Sequence, residues 1–178
     1  MIKTIALIVA GLLVLLIAVV LILALTKPDT FRVERRASIK APPEKIFPLI
    51  NDLRQFNTWN PYEKKDPNIK GTYSGPPSGK GATYAWESKE VGTGSMEITD
   101  TAAPSKVAMK LDFVKPFEAH NVVEFTLEPQ GDQTNVTWAM HGPAPFLSKV
   151  MQVFCNMDRM VGTDFEAGLA NLKALAEK

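Results

Sequence analysis

The chain has 178 residues and a formal net charge of +1, from 20 basic and 19 acidic side chains. Such a balance offers no electrostatic case for nucleic acid, so no nucleic-acid partner is expected. The single cysteine, Cys155, excludes an internal disulfide and a cysteine-based metal cluster, and its apolar setting beside Phe154 reads as a buried, inert thiol.

Ile5 to Leu25 is a run of 21 residues without a charge. As a helix rising about 1.5 Å per residue it spans ~31 Å, close to the ~30 Å hydrocarbon core of a bilayer. A cleaved signal peptide is the rival reading, but its apolar region is shorter and ends in a small-x-small site. Leu23-Ala24-Leu25-Thr26 makes a poor one. The expectation is a retained single-pass anchor in a bacterial inner membrane. Lys3 lies before the span and Lys27, Arg32, Arg35 and Arg36 after it, which by basic-residue count favours the domain inside. Short N-terminal anchors nevertheless commonly leave their tail inside, so the side of the membrane stays open. The divisions expected are residues 1–26 as anchor, 27–30 as linker and 31–178 as one folded domain; about 150 residues suit one sizeable core.

Phe31 to Lys40 alternates as a strand, with Phe31, Val33, Ala37 and Ile39 on one face and Arg35 interrupting it. Ala41-Pro42-Pro43-Glu44 opens a helix. Ile46, Phe47, Leu49, Ile50 and Leu53 form its buried side, and Pro48 limits or kinks it. The stretch TWNPYEKKDP follows. Its apolar half is expected to turn Trp59 inward as a plug or wall that gates a pocket, and its charged half, Glu63, Lys64, Lys65 and Asp66, to face water.

From Ile69 to Met140 the period switches to two. Six strands are expected over Gly71–Ser74, Ala82–Ser88, Ser95–Thr101, Lys106–Lys115, Glu118–Glu128 and Asn135–His141. Short Gly- and Pro-rich turns between them imply an antiparallel meander. Gly75 to Gly81 superficially matches a phosphate-binding loop, but the glycine spacing is one residue short and Gly81 follows the lysine; it reads as a hairpin loop. After Gly142-Pro143-Ala144-Pro145, an apolar stripe from Leu147 through Met151, Phe154, Met157, Val161, Phe165, Leu169 and Leu172 to Ala176 predicts a helix, with a break near Asn156–Asp158.

This order resembles the START-like (SRPBCC) superfamily, and within it the polyketide cyclase/dehydrase and lipid-transport group. The likeness is carried by FRVERRASIKAPPEKIFPLINDLRQFNTWNPY, GKGATYAWES with GTGSMEIT, LDFVKPFEAHNVVEFTLEP, TNVTWAMHG and DFEAGLANLKALAE. It covers nearly all of residues 31–178. The resemblance implies an α+β helix-grip fold, in which a curved antiparallel sheet of about seven strands wraps a long C-terminal helix and leaves an apolar cavity. Family members are lipid, sterol, hormone and quinone binders, with a minority of cyclases and hydrolases, so the fold alone does not choose the function.

Strand parity assigns side chains to faces. The concave face is expected to carry Tyr84, Trp86, Met109, Leu111, Phe113, Asn121, Val123, Phe125, Trp138 and Met140. Phe154, Met157, Val161 and Phe165 oppose them from the helix, with Trp59 at the cavity end. Asn121 is the one clear polar residue in this set. His120 and His141, with Asp112, Glu124 and Glu87, fall on the convex face, away from where acid–base chemistry needs them. Asp158 and Arg159 read as solvated or paired. No catalytic residue, metal or cofactor is expected. The first reading is a membrane-anchored, non-catalytic binder or carrier of a hydrophobic small molecule or lipid. Its rivals are a structural or interaction module with a vestigial cavity, and a cyclase-, dehydratase- or hydrolase-type enzyme.

Overall fold

The computed structural model describes residues 2–178. It begins with α1 (Ile2–Leu25), whose Lys3–Leu25 stretch is long and apolar enough to cross a membrane, and which is almost wholly exposed. The domain then runs β1 (Thr30–Ile39), α2 (Pro43–Asn51), α3 (Leu53–Trp59), a 3-10 turn at Pro61–Lys64, and six strands. These are β2 (Lys70–Ser74), β3 (Thr83–Glu87), β4 (Thr93–Ala102), β5 (Lys106–Lys115), β6 (Ala119–Gln130) and β7 (Gln133–Pro143). Two helices close the chain, α4 (Phe146–Phe154) and α5 (Met157–Ala176). The seven strands form one open antiparallel sheet in the order β1-β7-β6-β5-β4-β3-β2. The expected meander therefore forms, with β1 returning to pair β7, and α5 lies across the sheet as the helix-grip architecture requires.

The first helical region differs from expectation. Pro48 is accommodated inside α2, and the break falls at Asp52, whose backbone is extended. Its carboxylate accepts from the Arg54 N–H at 2.8 Å and starts a second helix. A short side chain that bonds its own downstream backbone competes with helix continuation and favours a new start.

α3 delivers Phe56 and Trp59 to the centre of the core, both essentially unexposed. Trp59 meets Phe56, Phe125 and Trp138 edge-on at centroid distances of 4.7, 6.0 and 5.6 Å. Its indole N–H donates to the Leu49 carbonyl at 2.8 Å, and its own carbonyl accepts from Asn171 of α5 at 3.0 Å. A buried tryptophan removes ~150–250 Å² from water, or about 4–6 kcal/mol at ~25 cal/mol/Å². Trp59 therefore turns inward as expected and ties α2, α3 and α5 together as a central core residue, but it is not part of the cavity lining.

α5 approaches the sheet through two glycines. At Gly168 a Cβ would lie 2.6 Å from the Trp138 ring and 3.0 Å from Pro61. Its absence lets Phe165 stack on Trp138 at 4.1 Å with the planes 9° apart. At Gly162 a Cβ would lie 1.9 Å from the Arg35 guanidinium. Arg35, the charge that interrupts the inner face of β1, lies beneath the helix. It donates to the carboxylates of Glu166 at 2.7 Å and Asp158 at 3.0 Å, so Asp158 is paired rather than free.

Three expectations about the C-terminal region and the charged loop are overturned. Among the described residues none on α4 is buried, so Leu147, Met151 and Phe154 do not continue the core stripe that α5 carries. Cys155, between the two helices, is exposed, because the chain leaves the core there. In the charged half of TWNPYEKKDP, Lys64 and Lys65 are exposed as expected, but Glu63 is half-buried and Asp66 is buried. Asp66 is 5% exposed and its carboxylate accepts from the Ser88 hydroxyl at 2.6 Å and the Asn68 N–H at 2.8 Å. Those bonds hold its pKa below the usual carboxylate value.

Gly168→Ala gains up to ~1 kcal/mol of helix propensity but forces a methyl into a rigid ring, at an overpacking cost of about 1–3 kcal/mol. The expected outcome is a net loss of up to ~2 kcal/mol in chemical denaturation. An unchanged or raised midpoint would show that Trp138 is free to move aside.

Candidate functional site: an apolar cavity between sheet and C-terminal helix

Between the concave face of the sheet, α5 and the Asn60–Ile69 segment lies a cavity of ≈ 890 Å³. Tyr84, Trp86, Leu111, Phe113, Asn121, Val123, Trp138, Met140, Met157, Val161 and Phe165 all line it. Their side chains arrive there by strand alternation and helical spacing, as parity predicts.

Trp59, Met109, Phe125 and Phe154 are not part of the lining. Met109 and Phe125 are on the inward face, but both are 0% exposed. They sit farther along β5 and β6, toward the end where Phe56 and Trp59 fill the space; Phe125 meets Phe56 at 6.0 Å. Parity reports a face, and position along the strand decides whether that face meets core or void. Phe154 is 71% exposed on α4, outside the cavity.

The structure adds wall residues that parity missed. The 3-10 turn at Pro61–Lys64 folds the charged loop back over the cavity, so that Tyr62, Glu63 and Lys65 line it. A signal was present. Asn60 before Pro61 is a helix-start pair, and the Asn60 side chain accepts from the Tyr62 N–H at 3.2 Å. Phe31, Phe56, Ile69, Val91, Met96 and Met160 extend the apolar surface.

Polar groups in the wall are largely paired with each other. The Tyr84 hydroxyl donates to Glu63 at 2.5 Å. The Lys65 ammonium donates to Asp164 at 2.6 Å and lies 4.8 Å from the centre of the Tyr62 ring. Burial first, and then the carboxylate of Glu63, push the Tyr84 phenol far above its ordinary value. Burial and Asp164 do the same to Tyr62. Both rings therefore stay neutral. Asn121 is 6% exposed, its Oδ1 directly against Gly142, where a Cβ would lie 2.4 Å away. Asn121 Oδ1 and the Trp138 indole N–H have no hydrogen-bond partner among the described residues, and an unpaired buried polar group costs about 1–3 kcal/mol.

The histidines lie on the outer surface. His120 is opposite Asp112 in the sheet register, and its Nδ1 is 2.7 Å from the Asp112 carboxylate while Nε2 is 3.2 Å from Glu118. The residue reaches the cavity rim, but its ring is held on the convex face beside these acids. Hydrogen bonding to Asp112, then to Glu118, raises its pKa above 6.5. His141 is 3.5 Å from Glu124, also on the outer face.

The sheet register places the cavity within the fold. Thr30 pairs Pro143, Val122 pairs His141, Phe113 pairs Ala119 and Thr93 pairs Lys115. The exit from α1, the β5–β6 turn, the start of β4 and the exit of β7 into α4 therefore share one end of the sheet. Asp29, Glu90, Glu118, Pro143, Pro145 and Ser148 at that end line the cavity.

Solved structures share this architecture. CV1439 from Chromobacterium violaceum superposes with a TM-score of 0.60 at 14% identity, covering 85% of this chain and 99% of its own. Ms6760 from Mycobacterium smegmatis gives 0.58 at 21% identity, with 84% and 92% covered. DynU16, a protein of the dynemicin biosynthetic locus, gives 0.58 at 17% identity, with 85% of this chain but 48% of its own covered. At such identities the likeness establishes the fold. None of the curated proteins matches the chain. The model of one family, described as polyketide cyclase / dehydrase and lipid transport, matches residues 30–177. With that match spanning the whole domain, and with a seven-stranded sheet gripping α5, the chain belongs to the polyketide cyclase / dehydrase and lipid transport family.

Proposed function

We propose that this protein is a membrane-anchored binder or carrier of a hydrophobic small molecule or lipid, which it holds in the apolar cavity without transforming it. The observation that carries this reading is a void of ≈ 890 Å³ walled by aromatic and aliphatic side chains. That volume falls within the ~300–1,000 Å³ typical of small-molecule sites. A packed interaction module has no need to keep such a space open, because voids forfeit dispersion contacts.

The void is too large to be a packing defect, and its floor is built from stiff rings. Asn121, near the rim, supplies a polar contact for a ligand carbonyl or hydroxyl. α1, whose Lys3–Leu25 stretch is long and apolar enough to cross a bilayer, supplies the anchor. The enzyme reading draws on one observation, the carboxylate–phenol pair of Glu63 and Tyr84 in the wall. In that pair the carboxylate is already occupied by the Tyr84 hydroxyl, whereas general acid–base catalysis requires a group free to reach substrate.

Purified full-length protein in lipid nanodiscs should carry, or take up, an apolar ligand detectable by native mass spectrometry. Leu111→Trp and Val161→Trp fill the cavity from opposite walls. Each should weaken binding of a fluorescent fatty acid at least tenfold, about 1.4 kcal/mol, with the circular dichroism spectrum unchanged. Absence of any apolar ligand in the wild type, together with no uptake, overturns the proposal.

His120 provides a second test. A pKa raised on folding contributes stability that is fully present below the unfolded value, ~6.5, and is lost as pH rises through the folded value. The NMR titration midpoint of His120 should lie above 6.5. His120→Asn should remove that pH dependence of stability while leaving fatty-acid binding intact. A loss of binding in this variant would place the imidazole in the site instead.

A further inference from the structure

The large apolar side chains that the domain leaves in water are not scattered. Outside α1, all of those exposed except Val122 and Met160 lie in two places: Val114 at the end of β5 with Phe117 in the β5–β6 turn, and Phe146, Leu147, Met151 and Phe154 on α4. Residues 147, 151 and 154 recur at helical spacing, so α4 presents one continuous apolar stripe to the outside. Single exposed hydrophobics are ordinary, whereas a contiguous patch marks a docking surface.

Both elements sit at the sheet end where α1 joins the domain. Only residues 26–29 separate α1 from β1, and four residues reach ~14 Å at most. The junction is also tied down. The Ala144 N–H donates to the Asp29 carbonyl at 2.7 Å, the Lys149 ammonium pairs with the Asp29 carboxylate, and α4 packs beside α1. The end of β5 and the turn after it read Val-Lys-Pro-Phe from residue 114 to 117. A lysine between two apolar side chains suits a lipid–water boundary, where its stem lies along acyl chains and its ammonium rises to the phosphates.

We infer that α4 and the β5–β6 turn rest in the surface of the same bilayer that holds α1, with the cavity mouth between them facing the lipid. The occupant of this patch is a lipid surface because the short linker, the Asp29 contacts and the packing of α4 beside α1 hold these side chains next to the end of the apolar helix. The cavity wall continues into this end through Phe113, Ala119, Pro145, Ser148 and Met160. A ligand passing between bilayer and cavity then never crosses bulk water, which selects a membrane-resident amphiphile as the ligand class. This last step rests on the cavity-binding reading; the docking itself does not.

The test uses the full chain in phosphatidylcholine–phosphatidylglycerol vesicles. Phe117→Cys, Met151→Cys and Asp132→Cys are made one at a time in a Cys155→Ser background and labelled with an environment-sensitive fluorophore. Labels at the first two positions should be quenched by doxyl-labelled lipid and protected from iodide. A label at position 132, in the β6–β7 turn at the far end, should show the reverse. The inference is overturned if the first two labels behave like the third, or if they are shielded from both quenchers, which would mean that protein covers the patch. Phe117→Glu with Leu147→Glu should slow loading of an NBD-labelled fatty acid from vesicles at least tenfold, while equilibrium binding of the same probe from water is unchanged. Equal loading rates would count against a lipid-facing mouth. No binding from either source, with lipid quenching intact, would remove the cavity reading and leave the docking.

Discussion

The structure depends on one contact, the face-to-face packing of Phe165 on Trp138 at 4.1 Å. It sets how closely α5 approaches the sheet, and it exists because Gly168 presents no Cβ to the indole. Around this point Phe56, Trp59 and Phe125 close the space completely. On the other side of it the same sheet face meets nothing, and the cavity opens. The contact lies near the middle of α5: toward the C-terminus Leu169, Leu172 and Ala176 are buried in the core, and toward the N-terminus Met157 and Val161 line the cavity. The two rings thus serve as both core and cavity floor.

The distribution of polar groups follows the same division. At the closed end they are satisfied internally, with the Trp59 indole on Leu49 and Asn171 on the Trp59 carbonyl. Along the wall the titratable groups pair among themselves, Tyr84 with Glu63 and Lys65 with Asp164. Such pairs keep charge off an apolar ligand surface while tying the Pro61–Lys64 turn to β3 and α5. Of the four side chains with an unpartnered buried polar atom among the described residues, Asn121 and Trp138 belong to the cavity wall, and Asn51 and Gln152 lie outside it. The largest exposed apolar surface of the domain surrounds the junction with α1. Apolar surface thus runs from α1, over α4 and the β5–β6 turn, toward the interior of the domain.

Much of this was legible without coordinates. Alternation in VAMKLDF and NVVEFTL assigns each side chain to a face, because successive Cβ atoms must point oppositely along a strand. Turn residues between strands dictate antiparallel neighbours. For that reason the seven-stranded sheet forms as expected and most of the residues expected on the concave face line the cavity, whereas His120, expected on the convex face, also reaches the rim. Met109 and Phe125 share the correct face yet lie in solid core, since parity carries no information about depth along the strand. Phe154 and Met151 fit the periodicity of α5 but belong to α4, because the break at Cys155–Asn156 redirects the helix and with it the stripe. Glu63 and Asp66 looked like solvated charge. A short 3-10 turn and Ser88, distant in sequence, supply partners that no local pattern displays.

By itself the sequence determined the membrane-length helix, the strand faces, the antiparallel order and the family, since these depend on local stereochemistry and on the spacing of apolar residues. Tertiary structure alone decided where the space between sheet and helix is filled and where it stays open. That outcome turns on the approach distance of α5, set by a missing Cβ at Gly168 against a ring on β7. Contacts of this kind join residues 30 positions apart at 138 and 168 through three-dimensional packing, and no periodicity along the chain encodes them.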